Sequence, residues 1–89
     1  MRQSIYSSIS QLFDSILRGN EIEFNYQGKA YFILPERNED SSVIGVLLGE
    51  KYRGNPAICC SEQELRSALV GELSFCEIFS DINITWQNF

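Results

Sequence analysis

Residues Glu21 to Leu34 read Glu-Ile-Glu-Phe-Asn-Tyr-Gln-Gly-Lys-Ala-Tyr-Phe-Ile-Leu. Ile22, Phe24 and Tyr26 alternate with Glu21, Glu23 and Asn25. After a break at Gln27-Gly28, an aromatic and β-branched run resumes from Lys29 to Leu34. Period-two alternation on both sides of a Gly-containing break predicts a β-hairpin. With a two-residue loop, Phe24 faces Tyr31 and Ile22 faces Ile33. One face then carries Ile22, Phe24, Tyr26, Tyr31 and Ile33, and it needs a cover. The other carries Glu23, Asn25, Ala30, Phe32 and Leu34, a mixed set that is either exposed or covered by a later element.

Upstream, Ile5, Ile9, Leu12, Phe13, Ile16 and Leu17 fall on one stripe of an amphipathic helix. Ser4 suits its N-cap, and Arg18-Gly19 suits its end, with a cation in the last turn and Gly at C′. Ser7, Ser8, Ser10 and Gln11 lie off the stripe and form helix weakly, so the helix needs tertiary contact to persist. A membrane-surface helix would carry Lys or Arg along its polar face, and this one does not. The stripe is therefore read as the cover for the hairpin.

Downstream, Pro35 to Ser42 is a polar turn or loop. Its Asn38, Glu39 and Asp40 lack the alternating spacing of a calcium loop. Val43 to Leu48 predicts a third strand, apolar on both faces and so the best buried of the sheet, with Gly45 marking a bulge or close approach. Gly49 to Pro56 is a loop that gathers Lys51, Tyr52 and Arg53. Pro56 and an apolar run follow it instead of a helix N-terminus, which excludes a phosphate-binding P-loop. Ala57 to Cys60 is a short strand. Ser61-Glu62-Gln63-Glu64 reads as a capping box opening a helix that buries Leu65, Ala68 and Leu69 and stops near Val70-Gly71. A second box, Ser74-Phe75-Cys76-Glu77, opens a helical turn to about Ser80, with Phe75, Ile78 and Phe79 inward. Asp81 to Trp86 alternates again and predicts a last strand with Ile82, Ile84 and Trp86 on one side. Such a strand is tied into the sheet, as an edge or beside the third strand. The expected fold is one α+β domain over residues 1–89. An N-terminal amphipathic helix and short C-terminal helices pack on a three- to four-stranded, largely antiparallel sheet.

Composition bounds the chemistry. The chain has 89 residues, 44% hydrophobic and 21% charged, which fits one folded domain with a modest core. It has no His, the usual general base near neutral pH and the commonest metal ligand. Cys59, Cys60 and Cys76 show no CxxC spacing, so neither a disulfide framework nor a zinc site is expected, and the thiols suit a reducing cytosol. No apolar run is long enough for a membrane span and no signal-peptide pattern opens the chain, so the expected location is cytoplasmic. A cysteine nucleophile would need a base and an electropositive setting. A carboxylate pair for glycoside hydrolysis would need a sugar-sized cleft that so small a domain can hardly supply. The signatures GxSxG, HExxH and GxGxxG are absent. The expectation is a protein that is not an enzyme and takes no cofactor or metal.

Net charge is −5. From Ser61 onward, Glu62, Glu64, Glu72, Glu77 and Asp81 stand against Arg66 alone. Such a surface repels phosphate backbones, which disfavours nucleic acid, and suits a basic protein partner. Those five acids are the candidate partner-binding residues, with Trp86 and Phe89 as aromatic anchors. Lys51, Tyr52 and Arg53 are a candidate anion or partner loop.

Three stretches carry a resemblance. The hairpin Glu-Phe-Asn-Tyr-Gln-Gly-Lys-Ala-Tyr-Phe-Ile (Glu23–Ile33), the helix start Ser-Glu-Gln-Glu-Leu (Ser61–Leu65) and the end Ile-Phe-Ser-Asp-Ile-Asn-Ile (Ile78–Ile84) follow the amphipathic helix in that order. Together they resemble small uncharacterised acidic α+β proteins of Gram-positive bacteria and their mobile elements. In size, charge and class the chain is similar to immunity proteins, antitoxins and phage anti-CRISPR inhibitors. The shared motifs are fold-like and carry no catalytic residue. The resemblance implies a non-catalytic inhibitor or adaptor that covers a basic surface, for example on a nuclease. A different class is a self-associating structural protein, a homodimer joined through Phe32 and Leu34 or an open sheet edge.

Overall fold

In the computed structural model, which describes residues 6–88, Gln27 and Gly28 turn the chain with both residues at positive φ, 51° and 81°. A type I′ turn requires this, and it matches the twist of the strands it joins. The turn links β1 (Glu21–Tyr26) to β2 (Lys29–Arg37) in the expected register, Phe24 opposite Tyr31 and Ile22 opposite Ile33. β3 (Val43–Glu50) pairs with β2, β4 (Ala57–Cys59) with β3, and β7 (Asn83–Asn88) with β1. The result is a five-stranded sheet in the order β4-β3-β2-β1-β7, with every neighbouring pair antiparallel. This exceeds the three to four strands expected from the sequence. β7 lies at the edge beside β1.

Three helices follow from local signals and cover one side of the sheet. α1 (Ile9–Leu17) begins at Ser8, whose Oγ accepts the Gln11 N–H at 3.1 Å. The helix therefore starts later than the sequence stripe implied. Ser4, read as its N-cap, and Ile5, the first residue of the stripe, lie outside the described residues. The chain leaves α1 through Gly19 at φ 102°, with its N–H on the Ile16 carbonyl. α2 (Glu62–Ser67) begins at Ser61, whose Oγ accepts the Glu64 N–H at 3.2 Å. The reciprocal arm of the box is shifted by one residue, since Glu64 accepts the N–H of Cys60 at 2.7 Å. α3 (Phe75–Ile78) shows the second box. Glu77 accepts both the backbone N–H and the hydroxyl of Ser74, at 3.4 and 2.7 Å. A 3-10 turn (Phe79–Asp81) leads on to β7. Between α2 and α3, β5 (Leu69–Val70) and β6 (Leu73–Ser74) form a two-stranded hairpin turned at Gly71, φ 68°. The helix expected to run to Val70-Gly71 with Leu69 buried ends instead at Ser67, and Leu69 is 68% exposed; two-residue strands are too short to show a period in the sequence.

Ile9, Leu12, Phe13 and Ile16 of α1 meet Ile22, Phe24, Tyr31 and Ile33 of the hairpin in one core. Val46, Leu48 and Cys59 extend it under β3 and β4, and Leu65, Phe75 and Ile78 close it. Burying each large apolar side chain contributes about 1.5–3 kcal/mol, which is what holds the short, serine-rich α1. Phe24 stacks on Tyr31 with centroids 5.2 Å apart and meets Phe75 at 5.9 Å. The buried Ser15 hydroxyl is satisfied by Tyr6 and Asn20, each at 2.9 Å.

Three further features depart from the linear reading. Pro35, Glu36 and Arg37, polar and loop-like in sequence, continue β2. Pro35 is tolerated because β1 does not extend beyond Leu34's position, so β2 has one neighbour there. The register between β1 and β7 shifts between Glu23 and Phe24, which places Ile84 opposite Phe24 but Trp86 opposite Glu23. Such a bulge inserts one residue and turns the next side chain over. Trp86 therefore leaves the side occupied by Ile84, contrary to simple alternation. β3 is also less buried than expected, since β2 takes the centre of the sheet and Leu47 is only half-buried.

Gly45 shows the close approach the sequence suggested. A Cβ there would lie 2.8 Å from the Cys59 carbonyl oxygen. Gly45→Ala should lose about 1–3 kcal/mol of stability in urea melts, as overpacking against fixed backbone does. Gly54→Ala, where an added Cβ meets nothing within 4 Å, should leave the midpoint unchanged or slightly raised. Equal effects of the two would contradict the β3–β4 contact.

Candidate functional site on the outer face of the sheet

Residues directly opposite each other in an antiparallel pair share a face. This rule lays out the side of the sheet turned away from the helices. One row across the strands is Ile58, Leu47 and Leu34, paired in that order from β4 to β2. The next row is Gly49, Phe32, Glu23 and Trp86, from β3 to β7. Beyond Leu34 on β2 comes Glu36, opposite Gly45. Glu21 lies two residues from Glu23 on the same face of β1. The buried residues of α1, α2 and α3 all belong to the inner cluster. The described residues leave the outer face open. Ile58 is 60% exposed and Trp86 45%, while Phe32, Leu34 and Leu47 are half-buried.

Gly49 makes the centre of this face flat. A Cβ there would stand 2.8 Å from the Phe32 ring and 2.9 Å from Pro56. The ring therefore lies across β3. Below it, Lys51 Nζ donates to Glu23 at 3.0 Å and sits 5.5 Å from the Tyr52 ring centroid. The hydrogen bond to Glu23 raises the Lys51 pKa. The face thus combines an apolar band, one internal ion pair and two further carboxylates, Glu21 and Glu36.

The C-terminal acids singled out by the sequence do not join this band. Glu62 accepts from Ser10 Oγ at 2.7 Å and from Arg66 at 2.8 and 2.9 Å. These bonds, the one from Ser10 first, hold its pKa below the ordinary value. Glu64 and Glu77 are bound to the backbone at helix starts. Glu72 lies in the β5–β6 turn and lines a depression of about 420 Å³ with Tyr26, Lys29, Tyr31 and Leu73. Asp81 is exposed in the 3-10 turn. All five are on segments carried by the helical side, whereas Trp86 is on the outer face. Phe89 lies outside the described residues.

The Lys51-Tyr52-Arg53 loop also divides. Lys51 turns to Glu23, and Tyr52 is 95% exposed at φ 67°. Arg53 lines a separate depression of about 440 Å³ with Tyr31, Asn55 and Leu69. Its two cations are not aimed at one anion. Ile58 and Leu47 were not singled out as site residues, although the apolar-on-both-faces pattern of Val43–Leu48 held the signal. A strand that reads apolar on both sides has either two covers or one bare apolar face.

The chain was compared with protein-family models, curated proteins and solved structures, and none of them matches. Among the described residues no helix is long and apolar enough to cross a membrane. No group of three or more Cys, Asp or Glu among them is placed to hold a metal ion.

Cys59 is buried, and burial, with Glu64 and Cys60 adding to it, pushes its thiol pKa up to about 11 from 9.0. Cys60 and Cys76 are exposed. Alkylation of the native protein at mildly alkaline pH should modify Cys60 and Cys76 and spare Cys59 until urea unfolds the chain. The raised pKa also sets a sign for stability. The unfolded thiol ionises first, so the unfolded state holds fewer protons and stability falls as pH rises from 9.0 towards about 11. Cys59→Ala should flatten that fall in alkaline urea melts. Rapid native labelling of Cys59 would contradict its burial.

Proposed function

We propose that the chain is a non-catalytic protein-binding module, an inhibitor or adaptor that docks the outer face of its sheet on a basic surface of a partner protein. The observation that carries this reading is the open band of Ile58, Leu47, Leu34, Phe32 and Trp86, crossed on β1 by the Glu23–Lys51 pair, with Glu21 and Glu36 beside it. An apolar centre rimmed by charge is the anatomy of a protein interface, and contiguous exposed apolar surface on a small domain marks a contact site. The net charge of −5 steers encounter towards a basic partner and away from nucleic acid. A nuclease fits that description, because the groove that takes its nucleic acid is basic. Covering such a groove is how an anti-CRISPR or toxin-immunity protein would act, and residence in the cytoplasm accords with it.

A second reading, self-association, is favoured by β7. This edge strand, Asn-Ile-Thr-Trp-Gln-Asn, carries no charge, and an uncharged open edge is a template for pairing with another copy. Light scattering across micromolar concentrations separates the two, since a constant mass near 10.2 kDa excludes a stable homodimer.

Capture from lysate of the source cell, at low and high salt, tests the first reading. The native chain should retain a basic protein that salt releases. The double variant Glu21→Lys/Glu36→Lys and the single variant Ile58→Ser should each reduce capture of that protein about tenfold. Glu72→Lys/Asp81→Lys should retain it. Loss only with the second pair would transfer the site to the helical side. No salt-sensitive partner, together with a concentration-dependent mass, would favour self-association.

A further inference from the structure

We infer that the occupant of the outer face is a single amphipathic helix of the partner, with a cationic flank, laid diagonally across the five strands. The inference rests on the proposed binding role of that face and specifies what binds there.

The layout of the face supplies the shape. Ile58, Leu47 and Leu34 form one row, and Phe32 and Trp86 lie in the next row, displaced two residues along the strands. The apolar band therefore slants across the middle of the sheet from the β4 edge to the β7 edge, crossed on β1 by Glu23, whose charge Lys51 pairs. Strands stand about 4.8 Å apart, so four spacings make the band about 19 Å long. Two residues of strand make it about 7 Å wide. A helix of about 13 residues has that length, and the apolar stripe of one helix has about that width.

The charges supply the polarity. Glu36 lies beyond Leu34 on β2, and Glu21 is two residues beyond Glu23 on β1, so both stand on one flank of the diagonal. Lys51, Asn25 and Asn83 stand on the other flank, where Lys51 is already paired with Glu23. A helix carrying Lys or Arg along one side of its stripe would place them against Glu21 and Glu36. A second copy of the chain fits poorly. The cation that a second copy would bring on this face, Lys51, is already paired with Glu23, so it leaves Glu21 and Glu36 unmatched between chains that each carry −5.

The test uses the full chain and two synthetic peptides of about 14 residues. Both carry the same leucine stripe at i, i+3, i+4 and i+7 spacing and no Trp. One has Lys at its flank positions and the other Glu. Trp86 is the single tryptophan of the chain and lies on the band, so its emission reports occupancy directly. Far-UV circular dichroism reports helix gained by the peptide. The Lys peptide should shift Trp86 emission saturably and gain helix. Glu21→Lys/Glu36→Lys should weaken that binding at least tenfold, with the urea midpoint checked to show that the variant folds. The Glu peptide should not bind.

Binding of the Lys peptide without gain of helix would overturn the helical occupant and leave the basic-partner reading standing. Equal binding of both peptides would overturn the charge match. Absence of binding by either at millimolar peptide would overturn the inference, while a salt-sensitive partner captured from lysate would still support the broader reading. Self-association that itself shifts Trp86 emission would overturn both.

Discussion

Phe24 is where the two halves of the chain meet, and the arrangement depends on that contact. It is fully buried, stacks on Tyr31 within the first hairpin, and touches Phe75 from α3. Across the strand it faces Ile84 of β7. One side chain thus binds the local hairpin, a helix from the C-terminal third and the last strand. Removing it would cost the 3–5 kcal/mol typical of a buried Phe, roughly the margin by which a small domain is folded. The aromatic line continues from Phe75 to Phe79 at 5.8 Å. α3 is only four residues long and has little stability of its own. Its place on the sheet is set by this ring packing and by the Ser74–Glu77 bonds.

The same contact explains why the sheet is one-sided. The inner face of the hairpin is aromatic and aliphatic, so α1, α2 and α3 all find their burial there. Nothing remains among the described residues to cover the other side. That side nevertheless carries Ile58, Leu47, Leu34, Phe32 and Trp86 where a solvated antiparallel sheet would show polar residues. Apolar exposure of this kind costs solubility, and contiguous patches of it mark contact sites. Gly49, which lets the Phe32 ring lie across β3, and the bulge that turns Trp86 outward, both add to the flatness and extent of this band.

Much of the fold was legible because it is local. The hairpin register followed from alternation and a two-residue loop, and the Ser61 and Ser74 helix starts followed from side chains three residues apart. Gly45 announced its contact by interrupting an apolar strand. What was not legible depended on long-range pairing. Pro35 looked like a strand end because sequence does not reveal that β1 stops short of it. Trp86 was placed with Ile84 because a bulge arises from pairing with β1 and leaves no mark in β7 itself. The acids were counted correctly but grouped by sequence position. In the folded chain Glu64 and Glu77 bond their own helix starts and Glu62 ties α2 to Ser10 of α1, whereas Glu21 and Glu36 flank the band. Phe32 and Leu34 were visible as misplaced apolar residues on the hairpin's second face. Leu47 and Ile58 joined them only once the strand order was known.

A sheet covered by helices on one side presents an apolar band open to solvent on the other. Solvent paramagnetic relaxation of methyl groups tests it without knowledge of any partner. With a soluble, uncharged spin probe, the methyl signals of Leu34, Leu47 and Ile58 should broaden strongly, while those of Ile22, Ile33 and Val46 on the inner face should stay sharp. Equal protection of the two sets in a monomeric sample would mean that the outer face is covered by the chain itself, and the account of this protein as a docking face would fail.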